Sequence, residues 1–224
     1  MRLTNIHNQG RLIYKFIRED NGELRIETDN SFFPYFYEEH PEGRFNSYDG
    51  KKLKKLYANH PKEIKNFRTS EAYEGDIIFT RRYLIDKVKK LHKTQVKYAF
   101  IDIEIMTDEL PDVKEAKYPV SVLTVYNSQN QEYKTFRLDE YSTEFIMLED
   151  FCNYLKQESF DLWLSWNVNF DYDYLYNRFP DFAKNVSPIG QLRYGHDEIA
   201  YPAGISIVDY LTWMKKVTLN KLSS

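Results

Sequence analysis

The sequence predicts a mixed α/β chain in which a β-rich N-terminal module precedes a sheet-and-helix domain. The stretch Tyr98-Ala-Phe-Ile-Asp-Ile-Glu-Ile105 alternates with the period of a strand and places Tyr98, Phe100, Asp102 and Glu104 on one face. Its other face, Ala99, Ile101, Ile103 and Ile105, is wholly apolar, as in a strand at the middle of a sheet covered by helices. Strand-like runs after this stretch are interspersed with helical spacing, whereas those before it are separated mainly by turn residues.

Composition bounds the reading. The 224 residues, 42% hydrophobic and 17% aromatic, suffice for one large domain or two modest ones and exclude global disorder. A net charge of −3 lacks the basic excess common among nucleic-acid binders, a blunt test because the acids of a metal site would offset basic patches elsewhere. The single cysteine, Cys152, permits neither an internal disulfide nor a cysteine zinc cluster, and fits a reducing compartment. No apolar run approaches the roughly 18 residues of a membrane span, and the N-terminus lacks the apolar core of a signal peptide. A soluble, cytoplasmic or otherwise intracellular protein is expected.

In chain order, Leu12, Tyr14 and Phe16 alternate, Asp20-Asn-Gly22 marks a hairpin turn, and Leu24-Arg-Ile26 resumes the alternation. Ser31 to Tyr37 reads as an aromatic strand that Pro34 confines to an edge or bulge, and His40 to Gly50 as a loop. Lys51 to Tyr57 is a basic strand, and Asn59 to Arg68 a helix with Ile64 and Phe67 on one face. A β-rich module therefore covers 1–75, and 76–96 connects it onward through a short helix on which Phe79, Arg82 and Tyr83 share a face. The α/β domain spans 97–224. After the carboxylate strand come an irregular acidic stretch from Thr107 to Lys117, a strand at Val120–Tyr126, a turn at Asn127–Asn130 and a strand at Glu132–Phe136. A helix follows at Glu144–Glu158, with Phe145, Leu148, Phe151, Cys152 and Leu155 as its stripe. Next come a strand at Leu162–Trp166, a turn at Asn167–Asp171, a helix at Tyr172–Phe179 stopped by Pro180, a strand at Ile205–Leu211 and a basic tail to Ser224. Three strands, helix, strand, helix, strand, led by a strand bearing two acids, is an α/β order of the ribonuclease-H type.

Chemistry concentrates on a few acids. Asp102 and Glu104 would sit with backbones roughly 7 Å apart on one face, from the rise per strand residue. No Lys or Arg shares that face, so the two would repel and lose hydration without a counter-charge. A divalent cation is one occupant, and an all-oxygen donor set favours Mg2+ or Mn2+. The other reading makes them acids at a frayed strand end, capping helix N-termini. Asp171 lies where a buried strand gives way to a helix, the edge at which open α/β sheets collect ligands, and alone it also reads as a helix cap. Together the three suit a pair of metals roughly 3.5–4 Å apart that activates water against a phosphodiester. Asn167 and Phe170 are placed to hydrogen-bond and stack on a terminal nucleotide, or else to serve turn and core. Lys51, Lys52, Lys54 and Lys55 form either a solvated face or a phosphate contact.

Four segments in order carry a resemblance. Phe100-Ile-Asp-Ile-Glu104 and Trp166-Asn-Val-Asn-Phe-Asp-Tyr-Asp-Tyr-Leu175 resemble the first two exonuclease motifs of family B DNA polymerases. Tyr73 to Asp86 is similar to the family's segment joining N-terminal domain and exonuclease, and Asn21-Gly22 through Pro34-Tyr35 resembles its N-terminal module. The resemblance implies a ribonuclease-H-like 3′→5′ exonuclease that removes mispaired primer ends, with Asp102, Glu104 and Asp171 as catalytic ligands of Mg2+ or Mn2+. It places Asn167 and Phe170 at the 3′ end of a frayed primer and makes DNA, as single-stranded end and as template, the partner. Pro34 and Arg82 match two positions of the pocket with which archaeal members sense template uracil. The family's third motif, a Tyr closely preceding a last Asp, is expected well after Asp209 and is absent, as are palm, fingers and thumb. The chain thus resembles a front fragment of a polymerase, or one part of a split one, with weak nuclease activity or none of its own. Two further readings keep this fold: a non-catalytic module gripping single-stranded template through the aromatic N-terminal region and Lys51–Lys55, and a structural part without chemistry.

Overall fold

The computed structural model describes residues 2–67, 72–195 and 199–222. The expected ends at Arg68 and Ser224 lie outside them. The chain forms two compact units, Met1–Thr94 and Gln95–Ser224.

In the first unit, β1 (Leu3–Gln9), β2 (Leu12–Arg18) and β3 (Leu24–Asp29) form an antiparallel sheet in that order. Gly22, at φ 85°, closes the expected hairpin by donating its N–H to the Glu19 carbonyl at 3.0 Å. Strand β1 carries too many polar residues to be legible as a strand; β2 supplies its hydrogen-bond partners. β4 (Tyr35–Glu39), β5 (Phe45–Asn46) and β6 (Lys52–Tyr57) make a second sheet, ordered β4-β6-β5. The aromatic strand therefore starts at Tyr35 and not at Ser31. Pro34, which has no N–H to give, turns its carbonyl to the Ala58 amide at 2.9 Å. Within the expected loop at 40–50, Phe45 and Asn46 pair with β6. A Cβ at Gly43 would lie 2.4 Å from the Leu53 backbone. Gly43→Ala is accordingly expected to cost about 1–3 kcal/mol, read as a lower melting temperature by circular dichroism.

The helices of this unit are α1 (Glu63–Phe67) and α2 (Phe79–Lys87). Phe79, Arg82 and Tyr83 do share the buried face of α2. The helix is no mere connector, because Phe79 and Tyr83 complete a core with Ile13, Phe32 and Tyr35. Two buried hydroxyls anchor it, Tyr83 donating to Asp29 at 2.8 Å and Tyr35 donating to Asp86 at 2.6 Å.

The second unit begins with β7 (Tyr98–Ile105), β8 (Val120–Asn127) and β9 (Glu132–Arg137), followed by α3 (Glu144–Glu158) and β10 (Leu162–Ser165). It continues with α4 (Val168–Arg178), α5 (Phe182–Val186), β11 (Leu192–Tyr194), β12 (Ala200–Pro202), β13 (Ser206–Asp209) and α6 (Tyr210–Leu222). Five strands form the main sheet in the order β13-β10-β7-β8-β9, with β7 in the middle. β10 runs parallel to β7 and β13, and β8 runs antiparallel to β7 and β9. The alternation read from the sequence holds: Ala99, Ile101 and Ile103 are buried, and Asp102 and Glu104 are exposed. The pairing with β8 slips between Glu104 and Ile105, where the strand ends.

Helices α3 and α4 bury their apolar faces in the same core as Ile101 and Ile103. Thr143 caps α3 by accepting the Ile146 amide at 3.3 Å, and Ser159 ends it in the left-handed region at φ 53°. The stripe of α3 contains Met147 in place of the expected Phe145, which is 55% exposed and packs edge-on against Phe179. Position 147 lies one helical turn before Phe151 and two before Leu155, so it belongs to the inward row. Cys152 is buried, which pushes its thiol up to about 12 and leaves it inert.

Two boundaries near the acids move. The helix expected from Tyr172 begins at Val168, and the expected strand at Ile205–Leu211 stops at Asp209. Asp209 accepts the amides of Leu211 at 3.0 Å and Thr212 at 3.3 Å, which starts α6 where a basic tail was expected. Among the described residues no helix is long and apolar enough to cross a membrane.

Candidate active site

Asp102 and Glu104 stand on β7, Asp171 in the first turn of α4. The loop between β7 and β8 is clamped to α4 beside them. The Tyr174 hydroxyl donates to the Tyr118 carbonyl at 2.7 Å, and Arg178 Nη1 donates to the carbonyls of Ala116 and Lys117 at 3.1 and 3.0 Å. Arg178 is itself held by a two-pronged ion pair with Glu144, whose Oε1 also accepts the Val120 amide. Strand, loop and helix are thereby fixed relative to one another around the acids.

Asp171 is 5% exposed. Burial first, and then the charge of Asp102, push its carboxyl up to about 7 from the ordinary 3.8, against the pull of backbone amides at Asn167, Asp171 and Ile103. Ile103 lies between the two β7 acids, so the Asp171 carboxyl meets the strand at the segment that carries both. Asp102 and Asp171 feel each other's charge. Glu104 remains exposed at the strand's end, and among the described residues no three His, Cys, Asp or Glu side chains are grouped as a metal cage. A buried carboxyl whose ionisation a second acid opposes is chemically fitted to a divalent ion.

Asn167 is the residue preceding α4 and makes no capping bond with its side chain, which is exposed. Phe170 is half-buried, packed against the core and stacked on Tyr174 with centroids 6.1 Å apart. One feature was not singled out from the sequence. Asp102 borders a 660 Å³ groove whose walls are Tyr98, Phe100, Tyr126, Tyr133 and Trp166. It depends on the cross-strand alignment of two tyrosines, Tyr126 on β8 directly opposite Tyr133 on β9, which spacing alone does not give.

In the first unit Pro34 and Arg82 line one cavity of 310 Å³, together with Asn8, Tyr35, Ile77 and Phe79. Arg82 is buried, pairs with Glu74 at 2.6 Å and lies 4.7 Å from the centre of the Tyr35 ring. The lysines of the basic strand do not present one face. Lys51 pairs with Glu39, and the Lys55 ammonium sits 3.5 Å over the Tyr35 ring, while Lys52 and Lys54 alternate to the other side.

A central strand with outward acids, answered by an acid in the first turn of the helix that follows the neighbouring strand β10, defines an α/β domain of the ribonuclease-H-like class. The family model "DNA polymerase family B, exonuclease domain" matches residues 95–222. The chain is 27% identical over 217 residues to a DNA polymerase of Thermococcus kodakarensis, covering 77% of this chain and 13% of that protein. It is 25% identical over 276 residues to the DNA-directed DNA polymerase of Escherichia phage RB69, covering 96% of this chain and 31% of that protein. A solved family B DNA polymerase from Pyrobaculum calidifontis shares the fold with a TM-score of 0.70 at 18% identity, over 96% of this chain and 37% of that one. The chain belongs to the family B DNA polymerases and spans about a third or less of the relatives it matches.

Proposed function

We propose that this chain carries the 3′→5′ exonuclease of a family B DNA polymerase and removes mispaired nucleotides from primer ends. The observation that carries the reading is the burial of Asp171 in the first turn of α4, with the acid Asp102 of the central strand near enough to oppose its ionisation. Asp102, Glu104 and Asp171 would hold Mg2+ or Mn2+. When bound, such ions supply an activated water and neutralise charge on the departing oxygen of a phosphodiester. The chain's own residues do the positioning. Asn167 offers an unused side-chain amide to the terminal nucleotide, and the Phe170 ring, braced by Tyr174, offers a surface to its base. Asp171, protonated below about pH 7, can hold a proton beside the reacting phosphate or release it when a cation arrives. Hydrolysis by this chain is expected to be slow, because among the described residues the three acids are not drawn together into a complete metal-holding group. In the first unit, Pro34 and Arg82 are proposed as part of a pocket for a template base. DNA inside the cell is the substrate.

A single-stranded oligonucleotide labelled at its 5′ end tests the reading. With Mg2+ or Mn2+ the 224-residue chain should generate a ladder shortened from the 3′ end, and with chelator none. Products shortened from the 5′ end, or a ladder that persists in chelator, would contradict it.

A further inference from the structure

The aromatic groove beside Asp102 encloses about 660 Å³, and two series of ring contacts lie along it. Tyr98 and Tyr126 have centroids 6.3 Å apart, and Tyr126 and Tyr133 are 5.2 Å apart. A second series runs from Phe100 to Tyr210 at 6.2 Å, and from Tyr210 to Trp166 at 5.9 Å and Trp213 at 5.4 Å. Rings of this size are ordinarily buried, yet Tyr133 is 73% exposed, Trp166 51% and Trp213 49%. Each therefore keeps open ring surface, which is what a planar partner needs. Lys215 and Lys216 are exposed on α6, close in sequence to Trp213, and bring positive charge to the same region.

We infer that this groove is a stacking platform for the unpaired bases that precede the 3′-terminal nucleotide, with Tyr133 and Tyr126 as its principal surface. The proposal rests on the exonuclease reading, because the groove's continuity with Asp102 sets the strand's direction. Its extent suits about two or three bases, the number carried by other sheet-borne aromatic platforms. Stacking tolerates any base, as an enzyme that removes errors irrespective of sequence requires. It also selects for strand separation, since a paired base offers its faces only to neighbours in the duplex. A frayed end is thereby preferred over a matched one.

Tryptophan fluorescence reads this directly. Trp163 is 2% exposed and silent to ligand, so quenching reports on Trp166 and Trp213. Titration of the chain with oligothymidylate in chelator, where no cleavage occurs, should quench the emission. Tyr133→Ala should weaken binding by about 5- to 50-fold, the loss of one base–aromatic stack, and Tyr133→Phe should restore it. Circular dichroism confirms that the exposed substitution leaves the fold intact. Absence of quenching, or equal affinity of the Ala variant and the native chain, would overturn the platform even if metal-dependent cleavage is present. Quenching that depends on Tyr133 without any metal-dependent cleavage would uphold the platform and remove the exonuclease reading instead.

Discussion

Asp171→Asn is expected to raise the melting temperature of the second unit by about 5 °C at pH 8 and to leave it unchanged at pH 4. In the folded chain the Asp171 carboxyl keeps its proton up to about pH 7, whereas in the unfolded chain it loses it near the ordinary 3.8. Between those values the folded state binds more protons, so stability falls as pH rises through this window and stays low above it. The full displacement corresponds to roughly 4 kcal/mol, and relaxation and water penetration around the carboxylate reduce it to about 2. Asn keeps the shape and removes the charge. Below pH 4 both side chains are neutral and the difference vanishes. Added Mg2+ or Mn2+ should recover part of this stability in the native chain at pH 8 and little in the variant, because the ion supplies the counter-charge that the fold omits. A variant melting below the native chain at pH 8 would mean that Asp171 is held by partners that favour its charge.

The second large effect falls on turnover. As proposed metal ligands, Asp102 and Glu104 should each, when changed to Ala, lower metal-dependent hydrolysis on the order of 10³-fold, the loss of several kcal/mol of charge stabilisation. Glu104→Ala, at an exposed position on β7, should leave the unfolding transition in place, whereas Asp102→Ala removes a charge that opposes the ionisation of Asp171 and should raise it slightly at pH 8. Stability kept or raised, together with lost turnover, separates chemistry from structure. Equal turnover in Asp102→Ala and the native chain would remove the carboxylates from the reaction.

The central strand was legible because a fully apolar face alternating with two acids admits few other placements, and β8, β9, α3 and β10 followed from equally strong periodicity. The start of α4 was not. Asn167-Val-Asn169 reads as a turn by composition, but Val168 is buried in the core and pulls the helix back by a turn, which sets Asp171 inside its first turn. A similar competition moved the end of β13, where the capping capacity of Asp209 outweighed the apolar run Tyr210-Leu211. Strand β1 was hidden because its stability lies in hydrogen bonds to β2 and not in its own side chains. At the site, residue types pointed to the acids. What spacing could not supply was the burial of Asp171 beside the exposed acids of β7, nor the aromatic groove, which needs the register of β8 on β9.

Calorimetric titration of Mn2+ into the chain at pH 6 and pH 8.5, in buffers of different protonation enthalpy, tests the pairing of Asp102 with Asp171 most directly. With the Asp171 carboxyl titrating near 7, ion binding should release close to one proton at pH 6 and almost none at pH 8.5. Asp171→Asn should abolish that release and weaken binding. Identical affinity and identical proton release in the native chain and Asp171→Asn would show that the ion binds without this acid, and the proposed active site would not stand.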